Sequence, residues 1–173
     1  TFRDSNGLWE EHRIEDVATP QAWQRNPKLV TEFYNQRRRQ VMEAQPNKAH
    51  LALVDLEKHY QVVVITQNVD DLHERAGSKH IIHLHGEILK MRSEEDPSMI
   101  YQSNGWEMDY ESTNDHGHRL RPHIVWFGEM VPMIEVAANI SADANLFLVV
   151  GTSLAVYPAA SLIDYVPDHV KKY

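Results

Sequence analysis

The chain has 173 residues, a formal net charge of −8 and no cysteine. Its length suits one domain with a hydrophobic core, and its acidic balance argues against a nucleic-acid partner. No apolar run reaches the length of a membrane span, so we expect no membrane partner. The lack of cysteine excludes disulfides, a thiol nucleophile and thiolate metal sites, and it is compatible with the reducing cytoplasm that we expect as the location.

The first strongly predicted helix starts at Asn26 and Pro27, because Asn caps helices and Pro is tolerated in their first turn. Apolar residues follow at helical spacing as far as Val41. Tyr34 and Arg37 lie three positions apart and therefore project from one face of this helix. An arginine on an apolar face needs an anion or a path to water, so the pair fits either an anion-binding site or an arginine that snorkels beside a core tyrosine.

A second helix is predicted after Pro46 and Asn47. Its apolar stripe includes Leu53 and Leu56, and this spacing indicates a helix that packs on a sheet. We assign it no chemical function.

An apolar, β-branched run over residues 61–65 predicts a buried strand. Gln67, Asn68 and Asp70 follow at its end, before a short helix that stops at Gly77. Open α/β sheets bind ligands at the carboxyl ends of their strands, so these side chains are candidates for a ligand site. Asn68 and Asp70 are equally typical of a turn and a helix cap, and that alternative stays open.

The next predicted strand, residues 81–84, carries a group of histidines. His83 and His85 are two positions apart and share a face of the strand, and His80 lies nearby. A single strand histidine is usually structural, whereas a cluster raises the question of a metal site. We interpret His80 and His83 as structural and His85 as a candidate catalytic group in one crevice with the preceding strand end.

Residues 90–121 are polar and acidic, and this change of composition marks them as a small inserted module. Trp106 and Met108, with neighbouring tyrosines, could supply a small apolar core. The metal-type residues of the module match no usual zinc spacing; they are His116, His118, Asp109 and Asp115. We therefore predict no zinc here.

Four further elements are predicted: a strand over residues 123–127, a helix over 132–142, an apolar strand of the parallel-sheet type over 146–150 and a helix over 158–165. Gly151, Thr152 and Ser153 follow the apolar strand and suit the ribose or phosphate of a dinucleotide, although a tight turn would use the same residues. Alternating strands and helices predict an α/β fold.

Five strings in this chain closely resemble motifs of the sirtuins, the NAD-dependent protein-lysine deacylases. They are T-F-R-D-S-N-G-L-W at 1–9, T-Q-N-V-D-D-L-H-E-R-A-G at 66–77, L-H-G-E at 84–87, V-W-F-G-E at 125–129 and G-T-S-L-A-V-Y-P at 151–158. The resemblance implies a Rossmann-like parallel sheet with a small inserted module at 90–121. It also implies that residues 1–173 are a single catalytic domain, incomplete at both ends, because the family's Gly-rich loop and later strands are not represented.

The reaction implied by the resemblance is NAD-dependent removal of an acyl group from protein lysine, with nicotinamide and O-acyl-ADP-ribose as products. The implied cofactor residues are Phe2, Arg3, Gln67, Asn68, Asp70, Gly151, Thr152 and Ser153. Within this set, Phe2 shields the nicotinamide pocket, Arg3 holds a reactive cofactor conformation, and Asn68 and Asp70 hold the nicotinamide carboxamide and also count as catalytic. His85 is the implied general base for the cofactor ribose, since a neutral imidazole suits proton abstraction near pH 7.

The resemblance also implies where the acylated protein lysine binds. Val125 and Phe127 would line the acyl-lysine channel opposite Val156, and the substrate backbone would add as a strand beside Gly128 and Glu129.

A subgroup that prefers acidic acyl groups carries the pair Y-x-x-R with an alanine in A-T-P, as Tyr34, Arg37 and Ala18 do here. We therefore expect succinyl- or malonyl-lysine as substrate, with acetyl-lysine weaker, and a solvated role for Arg38 and Arg39.

The chain departs from the family in one respect: most sirtuins hold a structural zinc with two C-x-x-C pairs, which are absent here. Three alternatives stay open. The same cofactor chemistry could serve ADP-ribosyl transfer, the protein could be a catalytically silent module that binds NAD or acyl-lysine, or the histidines could form a metal hydrolase.

Overall fold

The computed structural model describes residues 13–173. The helices are α1 (Ile14–Val17), α2 (Pro20–Arg25), α3 (Pro27–Glu43), α4 (Lys48–Leu56), α5 (Leu72–Ala76), α6 (Ile134–Ala142) and a 3-10 helix (Ala159–Tyr165). The strands are β1 (Val64–Thr66), β2 (Ile81–His83), β3 (Gly86–Ser93), β4 (Ile100–Gln102), β5 (Leu120–Ile124), β6 (Leu146–Phe147) and β7 (Lys171–Lys172).

Side-chain caps begin the two long helices where the sequence predicts them. Asn26 Oδ1 accepts a hydrogen bond from the Leu29 amide at 3.1 Å, so α3 starts at the predicted Asn-Pro pair. Asn47 caps α4, and the His50 side chain returns a bond to the Asn47 backbone, which completes a capping box. Both helix starts are confirmed.

Helix α4 does not pack on a sheet as its apolar stripe suggests. It has no buried residue, and Leu53 and Leu56 are only half-buried. Its neighbour is α5, a helix of five residues, which is too short to cover the stripe.

The chain is an α/β structure with parallel strand pairs, as predicted. β1 pairs with β2 in parallel, with Thr66 opposite His83, and β6 pairs in parallel with β7. The strands are shorter than predicted, since the pairing covers three residues of β1 and two of β6. The run 146–150 is not buried, and Val150 is 73% exposed, because in the part of the chain that is described β6 has one neighbouring strand.

An antiparallel sheet of order β4-β3-β5 contains much of the predicted module. Its last strand, β5, ends at Ile124, so the predicted strand over residues 123–127 lies mainly in a turn. The cause is Glu129, whose amide and carboxylate both bond back to Trp126 and close that turn.

The antiparallel sheet is attached to α3 by two polar side chains. Asn35 bonds both the amide and the carbonyl of Met108, at 3.0 and 2.8 Å. Arg38 donates to the carbonyls of Ile88 and Trp106 at 2.7 and 2.8 Å. The expectation that Arg38 is solvated is therefore wrong: it is 0% exposed, because it donates to the carbonyl of Ile88 in β3 and to that of Trp106 in the loop after β4.

The expected apolar core of the module is present only in part. Met108 is buried, whereas Trp106 is 38% exposed. Hydrogen bonds order part of the module: Asn114 Oδ1 accepts from the amides of His116 and His118.

Two hydrophobic clusters support the rest of the fold. One joins the N-terminal helices to β3 and β5 through Val17, Trp23, Phe33, Ile88 and Trp126. The other lies between β2, α6 and the 3-10 helix, with Leu84, Ala137 and Leu162 at its centre and Val125 at its border. None of the helices described between residues 13 and 173 combines the length and apolar character that crossing a membrane would require.

Candidate active site

The ends of strands β1 and β2 bring the predicted polar residues together. The Leu84 amide donates to the Thr66 carbonyl, which holds the two strand ends side by side. Gln67 Nε2 then donates to Thr152 Oγ1 at 3.1 Å across 85 positions of sequence. The 66–68 and 151–153 segments, which follow strands of two different strand pairs, therefore meet at one edge.

His85 is held in one orientation at this edge. Its Nδ1 lies 3.1 Å from the Gln67 carbonyl. A carbonyl only accepts, so Nδ1 carries the hydrogen and Nε2 is left with a lone pair in the neutral ring. Burial lowers the pKa of His85, and the Gln67 carbonyl opposes part of that effect. The residue is thus a neutral proton acceptor at pH 7.

Asn68 and Asp70 occupy different surroundings. The Asn68 backbone amide donates to Thr66 Oγ1, and its side chain is exposed at the strand end. Asp70 Oδ1 accepts from the Leu72 amide at 3.1 Å, so the turn interpretation holds for this oxygen, whereas the N-cap position of α5 is Asp71. Both residues lie at the predicted edge.

The segment after β6 is a turn with an unusual backbone. Gly151 has φ +66° and Leu154 has φ +53°, and Thr152 Oγ1 also accepts from the Leu154 amide. Gly151, Thr152 and Ser153 are all exposed. Small, exposed residues with hydroxyl groups at a strand end are suited to a ribose or phosphate.

Backbone hydrogen bonds fix two of the predicted acyl-lysine residues, Val125 and Phe127. The Val125 amide donates to the His85 carbonyl at 2.9 Å, and the Phe127 amide donates to the carbonyl of the buried Ala18 at 3.0 Å. Phe127 itself is exposed. Val156 precedes the 3-10 helix, whose Ala159 belongs to the same apolar cluster that Val125 borders. The 125–129 turn and the 156–158 segment therefore flank one apolar cluster.

Tyr34 and Arg37 both point inward from α3. Tyr34 is 4% exposed, and its hydroxyl oxygen accepts a hydrogen bond from Trp126 Nε1 at 3.0 Å. Arg37 is 5% exposed; its guanidinium carbon stacks 3.3 Å from the centre of the Phe33 ring, and Nη1 donates to the Phe33 carbonyl. Arg37 is therefore buried rather than snorkelling.

Glu129 has its side chain engaged inside the protein. Both oxygens of its carboxylate accept from Arg121, at 2.7 and 3.0 Å, and Arg92 Nη2 lies within 3.3 Å. These arginines lower the pKa of Glu129 against the opposing effect of burial. Glu129 thus contributes the shape of the turn and not a free carboxylate, and Gly128 completes the turn at φ +89°.

Three residues of this network were missed by the sequence analysis: Trp126, Arg121 and Arg92. Trp126 alternates with Val125 and Phe127 in V-W-F-G-E, and this alternation was the one available signal that it faces the opposite side. Phe2 and Arg3, the other predicted cofactor residues, lie outside the described residues.

One group of possible metal ligands occurs among residues 13–173, namely Glu74, His83 and Glu87, with donor atoms within 4.8 Å of one another. His83 Nε2 is 2.7 Å from Glu74, and Glu87 pairs with Lys90. These contacts agree with the structural interpretation of His83. In the described part of the chain, His116, His118, Asp109 and Asp115 form no such group.

Comparisons with known proteins agree with this geometry. A family model described as "Sir2 family" matches residues 1–158. The chain is 58% identical over 168 residues to an NAD-dependent protein deacylase of Helicobacter pylori (strain ATCC 700392 / 26695), covering 95% of the chain and 72% of that protein. It is 51% identical over 173 residues to an NAD-dependent protein deacylase of Aggregatibacter actinomycetemcomitans, covering 100% of the chain and 83% of that protein.

A solved structure with the same fold, the ADP-ribose complex of a point mutant of a Sir2 homologue, superposes with a TM-score of 0.89 at 42% identity. The superposition covers 96% of the chain and 68% of that structure. The Rossmann-like α/β prediction is confirmed.

Proposed function

This chain belongs to the Sir2 family, and on that premise we propose an NAD-dependent protein-lysine deacylase that prefers succinyl- or malonyl-lysine over acetyl-lysine. Deacylase activity rests on the motifs and on relatives that bear that name. The acyl preference rests on one observation: Arg37 is buried one helical turn from Tyr34, whose hydroxyl oxygen bonds Trp126 of the 125–129 turn.

The residues at the strand edge fit NAD. Asn68 offers an amide, Asp70 a carboxylate, and Gln67 and Thr152 are already hydrogen-bonded to each other across the edge. When bound, NAD supplies an activated ribose that receives the acyl group. His85 accepts a proton at Nε2, because Nδ1 is committed to the Gln67 carbonyl. Phe2, Arg3, Gly151 and Ser153 remain proposed cofactor contacts.

The acyl end of the substrate is proposed to meet Arg37 and Tyr34. A carboxylate at the tip of a succinyl or malonyl group can form a charge-assisted bond with the guanidinium, which is worth roughly 1.5–3 kcal/mol. An acetyl group ends in a methyl and gains nothing from the same guanidinium. Ala18 is small and buried, and its carbonyl bonds the Phe127 amide. Its small side chain is proposed to make space for the longer acyl chain, and Val125 and Val156 are the proposed walls of the channel.

The test uses the full-length protein with NAD and matched succinyl- and acetyl-lysine peptides, with O-acyl-ADP-ribose measured by mass spectrometry. We expect faster product from the succinyl peptide. Arg37→Met is expected to lower the succinyl-to-acetyl ratio of kcat/KM by roughly 10- to 100-fold, the equivalent of 1.5–3 kcal/mol. Arg39→Met is the matched control, since Arg39 lies on the same helix but pairs with Glu43 at the surface.

The other possible outcomes would contradict different parts of the proposed function. An unchanged ratio in Arg37→Met would contradict the acidic pocket and keep the deacylase. Product from neither peptide, together with ADP-ribose retained on a protein, would instead favour ADP-ribosyl transfer.

We also propose that residues 90–121 form an inserted module without zinc, in a protein of the cytoplasm. The lack of cysteine supports both the absence of zinc and the location in the cytoplasm. The attachment of the module to Asn35 and Arg38 supports the absence of zinc as well. Elemental analysis of the purified protein tests the first, and zinc at one equivalent per chain would contradict it.

A further inference from the structure

The hydrogen bond between Trp126 and Tyr34 has a fixed direction. Indole Nε1 is a donor and has no acceptor lone pair, so across the 3.0 Å contact the Tyr34 oxygen must accept. A phenol has one hydrogen, which therefore cannot point toward Trp126. Both side chains are almost fully buried, at 2% and 4% exposure, so bulk water does not compete for this contact.

The pKa of Tyr34 also indicates that its hydroxyl can act as a hydrogen-bond donor. Burial raises the pKa of the Tyr34 hydroxyl well above its ordinary value, and the bond from Trp126 and the charges of Arg121 and Arg37 oppose only part of that effect. The hydroxyl is therefore protonated throughout the physiological range and keeps its hydrogen to donate.

Trp126 is itself held firmly in place. The guanidinium carbon of Arg121 lies 3.4 Å from the centre of an indole ring of Trp126, and the Glu129 carboxylate accepts from the Trp126 amide at 2.8 Å. Arg121 is fixed in turn by two bonds to Glu129. The donor that faces Tyr34 is thus pre-organised by a supporting shell.

We propose that Trp126 is a positioning residue that commits Tyr34 to donate its hydrogen to the carboxylate of an acidic acyl group. A carboxylate accepts hydrogen bonds and cannot donate them, so a tyrosine whose acceptor side is filled by Trp126 is matched to it. An acetyl methyl can neither accept nor donate, and it does not sense the direction of the hydroxyl. The inference rests on the proposed acyl preference and adds a residue to it.

The primary test is Trp126→Phe, which keeps an aromatic ring and removes the N–H. The succinyl-to-acetyl ratio of kcat/KM is expected to fall roughly fivefold, the factor that corresponds to about 1 kcal/mol for one neutral hydrogen bond. The ratio cancels general damage to the channel, which slows both peptides alike. Trp23→Phe is the matched control: Trp23 packs against Trp126 with ring centres 5.9 Å apart, yet its N–H bonds Glu94, so the ratio is expected to stay unchanged.

A double-mutant cycle separates positioning from packing. If Trp126 acts through Tyr34, Trp126→Phe in a Tyr34→Phe background lowers the ratio no further. An equal additional loss in that background would overturn the proposal. Where Trp126→Phe is too unstable to assay, replacing Trp126 with β-(3-benzothienyl)alanine removes the N–H at constant ring size, and an unchanged ratio in that protein would also overturn it.

Failure of this inference is distinguishable from failure of the proposed function. A ratio lowered by Tyr34→Phe and Arg37→Met but unchanged by Trp126→Phe removes the role of Trp126 alone. A ratio unchanged in all three variants removes the acidic pocket, and with it this proposal.

Discussion

Gly86 follows the candidate base His85 and is the first residue of β3 in the antiparallel sheet, and its replacement by alanine is expected to be costly for two separate reasons. Its φ of +86° is disfavoured for any residue with a Cβ, at roughly 1–2 kcal/mol. In addition, a Cβ at this position would lie 2.1 Å from the His123 carbonyl oxygen and 3.0 Å from the Ile124 Cα. Both are backbone atoms, so relief requires the strand to move, which costs about 1–3 kcal/mol.

The sum predicts a loss of roughly 2–5 kcal/mol in the free energy of unfolding for Gly86→Ala. Gly105→Ala is the matched control: Gly105 has φ +89°, and a Cβ there meets nothing within 4 Å. Its expected loss is roughly 1–2 kcal/mol, and the gain from a stiffer unfolded chain is common to both variants. Urea unfolding at neutral pH measures both, and equal losses would refute the steric argument.

Two further predictions concern buried basic groups. Arg38→Met is expected to lower the free energy of unfolding by roughly 2–4 kcal/mol, because it removes the hydrogen bonds that Arg38 donates to two backbone carbonyls and to Asn35. Arg39→Met is expected to change the free energy of unfolding by less than about 0.5 kcal/mol, and similar unfolding midpoints for the two variants would contradict the structural role of Arg38. Burial lowers the pKa of His85, and burial together with the nearby charge of Arg92 lowers the pKa of His123 to about 4. The charged imidazoles are therefore disfavoured in the folded state. The contribution of these two histidines to the free energy of unfolding is expected to be fully present above the ordinary histidine pKa and to be lost as the pH falls toward 4. The acid limb of the deacylation rate is accordingly expected below pH 6.5, about the ordinary histidine pKa, and a midpoint above that value would contradict the neutral form of His85.

The helix starts were predictable because a cap is a local interaction. Asn26 and Asn47 meet their partners within three residues, and the sequence contains both ends of each bond. The positions of β1 and β6 were less predictable, since a strand extends only as far as its partner does. The turn at 125–129 was missed because the Glu129 carboxylate that closes it is held in place by Arg121 and Arg92, which lie outside the motif.

For Arg38, the sequence contained a signal for burial but no indication of the groups to which it donates hydrogen bonds. It lies four residues after Tyr34 and eight after Val30, which are both buried, so helical spacing alone indicated burial. The charge of three consecutive arginines argued for solvent, and the carbonyls that satisfy Arg38 lie 50 and 68 positions away. The Trp126–Tyr34 bond spans 92 positions, and no local pattern specifies such a contact.

Two parts of the structure support the candidate site, and substitutions in each part are expected to have different effects on activity. His85 is tied through its own carbonyl to the Val125 amide, and Gly86 pairs with Ile124 in the register of the sheet, so the proposed base and the proposed wall of the acyl channel share one backbone frame. Changes to that frame, such as Gly86→Ala, are expected to slow succinyl and acetyl substrates by the same factor.

The selectivity group of Arg37, Tyr34 and Trp126 is attached to this frame from the other side, through α3 and the indole of Trp126. Changes there are expected to alter the ratio between the two substrates. A ratio that moved with Gly86→Ala would mean that the two supports are coupled through the 125–129 turn, since Val125 in that turn joins Ile124 directly to Trp126 along the chain.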